Sequence, residues 1–313
     1  MSNALSDINS NQKPYYTIYF KAVTLGTEIR VNDIPVFTVD NTNNMSLEIP
    51  VSSDIINGTN QITVITYPYF NDNDEQTDDY LDFSEITVGL YVREDGEPDT
   101  KRTLISEATI KPHNAYTDHD IGSTAAINPR SVDSNNADLK IKKDSSILTY
   151  PFYGTYKIQV VTTWNTTDIK TPFPQWEWQS GTQITDSQDT YESLLSEYKE
   201  LFDAFQKKDL KQLKQLSIHR SSELATAYFL KDADAGFDYS AIGEYIDHPR
   251  AELYKELRTR NTKLMIFANG KLATIKNAAG SEPVLFVDYK DRQVHNMKSY
   301  WYKNKEGKWV IIR

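Results

Sequence analysis

Acid–base chemistry needs a carboxylate or an imidazole held beside a reacting group. Asp288 and His295 are the pair whose setting suits it best, on neighbouring stretches of strand-like sequence. Val284, Phe286 and Asp288 alternate along an apolar run, which places them on one face of a strand. Asp288 is therefore expected to point inward as a buried carboxyl with a raised pKa. The alternative is an open face where it bridges a lysine. Tyr289 and Trp301 fall near the pair in the same pattern. Phe173, Trp176 and Trp178 concentrate aromatic surface in another short stretch. On a strand the two tryptophans share a face and can stack on a sugar or a partner; the alternative is packing between two domains. These three, with Tyr289 and Trp301, form the candidate ligand or partner surface.

Asp72, Asp74 and Asp78, with Asp79 and Asp82, crowd one loop, and calcium wants several carboxylate oxygens around one centre. The EF-hand spacing fails, because Thr77 stands at the glycine position and Phe83 at the bidentate glutamate position. A hydrated, self-repelling loop is the expectation, with no metal. His113 and His119 beside Asp118 and Asp120 have ligand chemistry without ligand spacing, and His219 and His248 are scattered. No HExxH, GxSxG, Walker or dinucleotide glycine pattern occurs. The chain has no cysteine, which excludes disulfides, thiolate zinc sites and cysteine nucleophiles. No cofactor is expected.

The elements that must position these residues belong to a chain of 313 residues, room for two domains at about 150 residues each. Hydrophobic residues are 39% and charged residues 25%, a globular composition that excludes collagen-like and wholly disordered classes. No apolar run is long enough to span a membrane. The net charge of -10 is uneven: residues 1–180 hold 13 basic and 25 acidic side chains, residues 250–313 hold 14 and 6. The acidic first half argues against nucleic acid, which needs Lys and Arg on phosphate. The basic end suits an acidic partner, against the alternative of a solvated face that balances the acidic half. Met1-Ser2-Asn3-Ala4 reads as an expression scar followed by polar residues. The expectation is a removed signal peptide or lipoprotein leader and a periplasmic or extracellular location.

Tyr16, Ile18, Phe20 and Ala22 alternate with Thr17, Tyr19 and Lys21, the period of a half-buried strand. Further strands are expected at 28–37 around an Asn32-Asp33 turn, 46–51, 61–67, 86–93, 103–110 and 147–164. Pro35 must lie at an edge or a strand start. Residues 1–14 are read as tag or disorder and 15–180 as an antiparallel β-sandwich. Periodicity breaks over 166–188, and residues 186–313 form a second, α+β domain. There Tyr191, Leu194, Leu195, Tyr198, Leu201, Phe202 and Phe205 make one apolar face of a helix, capped by Asp189 with Glu192 as its box partner. Asp209 caps a short second helix, a third covers 221–230, a loop covers 231–248, and Pro249 starts a fourth. Strands then follow at 263–268, 271–276, 283–290, 294–303 and 308–312.

Leu201-Phe-Asp-Ala-Phe-Gln-Lys-Lys-Asp-Leu210 and the closing Tyr300-Trp-Tyr-Lys-Asn-Lys-Glu-Gly-Lys-Trp-Val-Ile-Ile312 hairpin resemble the NTF2-like (cystatin-like cone) superfamily over residues 189–313. The resemblance implies helices wrapped by a curved sheet around a pocket used for enzymes, ligands or partners. Glu28-Ile-Arg-Val-Asn32, Leu47-Glu-Ile-Pro-Val51 and Asn57-Gly-Thr-Asn-Gln-Ile-Thr-Val64 resemble the galactose-binding-type jelly roll. Together they lead to the expectation of a non-enzymatic, extracytoplasmic protein acting by protein–protein recognition, with a toxin-neutralising immunity protein as one form. Carbohydrate or small-ligand binding and an NTF2-like isomerase or dehydratase are the alternatives.

Overall fold

The computed structural model describes residues 12–39, 44–68, 80–112, 149–150, 154–155, 160–246, 248–277, 280–291 and 293–313. Asp72, Asp74, Asp78, His113 and His119 lie outside the described residues. The fold class is α+β with an N-terminal β-sandwich. Two compact units divide the chain: Met1–Thr149 with Thr155–Pro174, and Tyr150–Gly154 with Gln175–Arg313.

In the first unit β1 (Pro14–Val23), β2 (Gly26–Val31), β3 (Ile34–Val39), β4 (Asn44–Pro50), β5 (Gln61–Tyr67), β6 (Glu85–Glu94), β7 (Thr103–Ile110) and β10 (Val160–Asn165) form two four-stranded antiparallel sheets. Their orders are β4-β1-β6-β7 and β10-β5-β2-β3; β8 (Thr149–Tyr150) and β9 (Gly154–Thr155) pair separately. The alternation in β1 is realised: Tyr16, Ile18, Phe20 and Ala22 are buried while Lys21 is exposed. The sheets meet face to face, Phe20 of one 4.7 Å from Phe37 of the other and Trp164 Nε1 donating to Ser106 Oγ at 3.4 Å. Asn32 and Asp33 both adopt positive φ, 52° and 62°, in the tight β2–β3 turn, as hairpin turns of that kind require. Pro35 sits near the start of β3, an edge strand. Asn60 is fully buried and spends both ends of its amide locally. Its Nδ2 donates to Ile56 O and Gly58 O, and its Oδ1 accepts from Ile56 N and Asn32 Nδ2.

The α-helices of the second unit are α1 (Gln188–Gln206), α2 (Leu210–Leu216), α3 (Ile218–Ala227) and α4 (Ala233–Tyr239), preceded by the 3-10 helix Glu177–Ser180. Seven strands follow: β11 (Ala251–Leu253), β12 (Thr262–Phe267), β13 (Leu272–Asn277), β14 (Leu285–Asp288), β15 (Gln293–Asn296), β16 (Trp301–Lys303) and β17 (Trp309–Ile311). They form two antiparallel ladders, β11-β14-β15 and β12-β13-β16-β17. The apolar face of α1 is buried through Leu194, Tyr198, Leu201, Phe202 and Phe205, in one cluster with Phe286, Trp301, Trp309 and Ile311. Trp309 also ties to α1 directly, its indole donating to Ser193 Oγ at 2.9 Å.

Four local expectations are corrected. The cap of α1 is Ser187, which accepts from Thr190 N, and Glu192 instead accepts from the Gln188 side chain. The third helix begins earlier than 221, at Ile218, and residues 233–239 form α4 rather than loop. Gly236 in α4 lets two helices cross closely, since a Cβ there would lie 1.9 Å from Ser221 O of α3. Pro249 starts no helix: Ala251–Leu253 pairs with β14 as β11, and this sheet pairing overrides the local helix-start signal. No described helix is long and apolar enough to cross a membrane.

Candidate functional site

The β14 strand carries a buried carboxylate at its end and follows another. Asp288 occupies its last position, and its neighbours come from β11, the β14–β15 turn and β15. Ala251 pairs opposite Asp288, and His295 opposite Phe286. The Asp288 Oδ1 accepts the backbone N–H groups of Lys290 at 2.9 Å and Asp291 at 3.1 Å, which closes the turn. Arg250 reaches across with Nε 3.3 Å from Asp288 Oδ2 and a terminal nitrogen 2.6 Å from Asp291 Oδ2. His248 turns its Nδ1 inward to accept Ala251 N–H at 2.7 Å, and its ring lies 5.8 Å from that of His295.

This geometry corrects the expected raised pKa of Asp288. The amide of Asp291 and that of Lys290, together with Arg250 and His295, hold the carboxyl below its ordinary value against the effect of burial. A carboxylate so stabilised is a weak base and remains ionised at neutral pH. Asp288 and His295 do come into one neighbourhood, but Asp288 is committed to a turn and an arginine. Among the described residues no group of three or more His, Asp or Glu is arranged to hold a metal ion.

The aromatic candidates separate. Tyr289 stands out at the β14–β15 turn, 59% exposed. Phe173, Trp176, Trp178 and Trp301 are buried, so their side chains offer a partner no open surface. The reason at Trp176 and Trp178 is local: Glu177–Ser180 is a 3-10 helix, which breaks the period-two spacing a shared strand face needs. Trp301 faces Tyr198 at 5.6 Å inside the second unit. Phe173 packs edge-on to Tyr16 at 6.0 Å inside the first.

A polar cluster that the sequence reading did not single out lies at the other end of the same run. Glu282 is 1% exposed and its carboxylate accepts Ser299 N–H at 2.9 Å, Ser299 Oγ at 2.5 Å and the Tyr198 hydroxyl at 3.2 Å. The Tyr198 hydroxyl also lies 2.9 Å from Thr274 Oγ1. Burial pushes the Glu282 carboxyl up, outweighing Lys276 and the donors of Ser299 and Tyr198. Arg220 of α3 donates to Lys298 O at 3.0 Å, one residue from Ser299. Burial lowers the Arg220 pKa to about 10, with Glu282 acting against that and Arg313 adding to it. Aromatic rings close the space around this cluster: Phe205 on Phe286 at 5.1 Å, Tyr245 on Phe286 at 4.6 Å, and Tyr198 on Trp301. The one signal in the sequence was an acid, Glu282, standing directly before the apolar run Pro283–Val287 with no local basic partner.

On the first unit the outward side of the β4-β1-β6-β7 sheet is a stack of rings and guanidinium groups. Arg102 lies 4.5 Å from the centres of both Tyr19 and Tyr91 and pairs with Glu48 at 2.6 Å, and Arg93 covers Tyr15 at 4.2 Å. Gly89 makes the Tyr91 position possible, since a Cβ there would lie 2.6 Å from the ring. Burial, followed by the bond to Glu107, moves the Tyr91 hydroxyl up to about 12.

Fold and geometry together define a two-unit α+β protein with a β-sandwich and a helix-packed antiparallel unit. No family model, curated protein or solved structure matches the chain.

Proposed function

We propose that this is a non-enzymatic binding protein whose second unit recognises another protein through its basic surface. One observation carries the reading: five cations, Lys255, Arg258, Arg260, Lys263 and Lys290, make no ion pair among the described residues, against two acids of the same region, Glu252 and Glu256, that are likewise unpaired there; the other acids are occupied. Glu282 serves Ser299 and Tyr198, and Asp288 and Asp291 serve Arg250. Uncompensated positive charge of this kind draws an acidic partner, and Lys290 adjoins the exposed Tyr289 in sequence, the aromatic-plus-cation composition of a docking surface. The interior supports the same reading where Glu282, Ser299, Tyr198 and Thr274 bond one another and the rings pack together, although Arg220 Nε, Ser221 Oγ and Trp301 Nε1 are buried without a hydrogen-bond partner among the described residues.

The family resemblances enter as part of this proposal. Two four-stranded antiparallel sheets support the jelly-roll reading, and helices followed by antiparallel strands support the NTF2-like reading. The second unit departs from a single curved sheet, with its strands in two ladders. Toxin neutralisation in an extracytoplasmic setting is one form such recognition takes. The test is photo-crosslinking in the native cell from positions 260 and 289, then calorimetric titration of the identified protein. A stoichiometric complex that weakens with salt, as screening of exposed charge requires, is the expected outcome. A chain that cross-links to no protein and instead turns over a substrate or retains a glycan overturns the reading.

A further inference from the structure

We propose that the free edge of β12 binds an extended acidic segment of a partner protein as an added strand. The inference rests on the recognition reading and assigns it a place and a chemistry. Among the described residues β12 ends the β12-β13-β16-β17 ladder and pairs only with β13, through six successive partners from Thr262↔Asn277 to Phe267↔Leu272 without a register shift. In an antiparallel pair, alternate residues turn their N–H and C=O groups away from the partner. From Thr262 to Ile266 no described backbone segment takes those groups.

Open edges invite pairing with other chains, and native sheets block them with proline, bulges, charge or brevity. Four other edges carry such devices, whereas β10, like β12, pairs through six successive partners without a shift. β3 contains Pro35 and pairs across a bulge, β4 ends in Pro50, and β11 and β17 span only three residues each. β12 has no proline, glycine or bulge; its one such device is the charge of Lys263, which disfavours a basic or apolar strand but not an acidic one, and Leu264, Met265 and Ile266 are consecutive and half-buried.

The charge around this edge selects the occupant. Lys263 lies on the strand, and Arg258 and Arg260 lie in the segment that enters it. Among the described residues none makes an ion pair; Arg258 rests on the Tyr254 ring at 4.7 Å, and Arg260 and Lys263 are exposed. A basic strand arriving here meets like charge, whereas an acidic one gains it. Main-chain hydrogen bonds then supply affinity, and alternate side chains supply specificity.

The probe is a capped octapeptide of alternating glutamate and valine, compared with the same peptide N-methylated at alternate residues, on the full chain by hydrogen exchange. The expected result is slowed exchange confined to the outward amides of Thr262 to Ile266, absent with the methylated peptide. The double variant Arg260→Glu, Lys263→Glu should lose about tenfold or more in affinity, as like charges across an interface do, with exchange elsewhere unchanged. Equal binding by that variant, protection at another strand, or no protection by millimolar peptide overturns the proposal. The two readings fail separately. If a cross-linked partner protein binds while β12 exchanges as in the free chain, the edge site falls and recognition stands. If the peptide protects β12 but no protein cross-links, recognition falls and the strand site stands.

Discussion

Glu282 and Asp288 flank one apolar run, and each is 1% exposed, yet their surroundings drive their pKa values in opposite directions. Glu282 receives three donors from Ser299 and Tyr198 and is still pushed up, because it is deep among aromatic rings. Asp288 receives two backbone amides and Arg250 at a surface turn and is held down. Burial alone therefore does not set the sign. What decides is whether fixed donors and a cation outweigh the loss of solvation. The same contrast separates roles: the deep carboxylate organises the packing of α1 on the sheet, and the shallow one organises a turn at the rim.

If the deep cluster depends on the rings around it, removing a ring should give the largest effect. Trp309 is buried with Trp301 and Phe202 in the cluster that encloses Tyr198, and truncating a buried aromatic costs about 3–5 kcal/mol. Trp309→Ala should therefore bring most of a domain's stability of about 5–15 kcal/mol close to its limit. Hydrogen exchange should accelerate through β12, β13 and β16 while β1 and β6 remain protected. A variant with native exchange in those strands would remove the packing role from Trp309.

The next effect tests the two carboxylates directly. Glu282→Ala leaves Ser299 N–H without its acceptor, while Ser299 Oγ keeps the Tyr198 oxygen and the Tyr198 hydroxyl keeps Ser299 O and Thr274 Oγ1. An unsatisfied buried donor costs about 1–3 kcal/mol, so urea unfolding should shift by about that much. Asp288→Asn keeps an oxygen for the amides of Lys290 and Asp291 and should shift far less. Equal losses would mean that the two sites do not differ in depth.

Much of this architecture was legible in the sequence, for identifiable reasons. The period-two run of β1, the Asn32-Asp33 turn and the apolar face of α1 depend on local chemistry that tertiary contacts reinforce. Asn60 is of the same kind, bonding the backbone of Ile56 a few residues upstream. What was not legible depends on distant partners. Pro249 carries a helix signal, but pairing with β14 makes β11. Trp176 and Trp178 have strand spacing, but a 3-10 turn places them. The Glu282 site assembles from α1, β13 and the segment before β16, so no single stretch of sequence displays it.

Titration sharpens the comparison with a smaller effect. A carboxyl whose folded pKa lies above its ordinary value of 4.5 binds its proton more tightly in the folded state. Its contribution is complete below that pH and is lost as pH rises through the folded value. Wild-type stability should therefore contain a component that declines above pH 4.5, and Glu282→Gln should remove it. The check is the difference between the two urea midpoints across pH; a flat difference above pH 4.5 would contradict the raised value.

Asp288 should give the smallest and opposite component. Its folded pKa lies below the ordinary 3.8, the amide of Asp291 being the leading cause. The folded state therefore releases this proton more readily than the unfolded chain. The resulting stability is present above pH 3.8 and is lost as pH falls through the folded value. Asp288→Asn cannot ionise, yet it preserves acceptors for both turn amides, so the variant lacks the charge on Arg250 without losing the turn. The wild-type advantage over Asp288→Asn should hold steady from neutrality down to about pH 4 and then shrink on further acidification. Repeating the titration in Arg250→Gln should narrow the advantage, because that guanidinium supplies part of the downward shift. An advantage that persists undiminished at the most acidic pH would place the benefit in the aspartate's shape rather than its charge, and the contrast with Glu282 would then be one of packing alone.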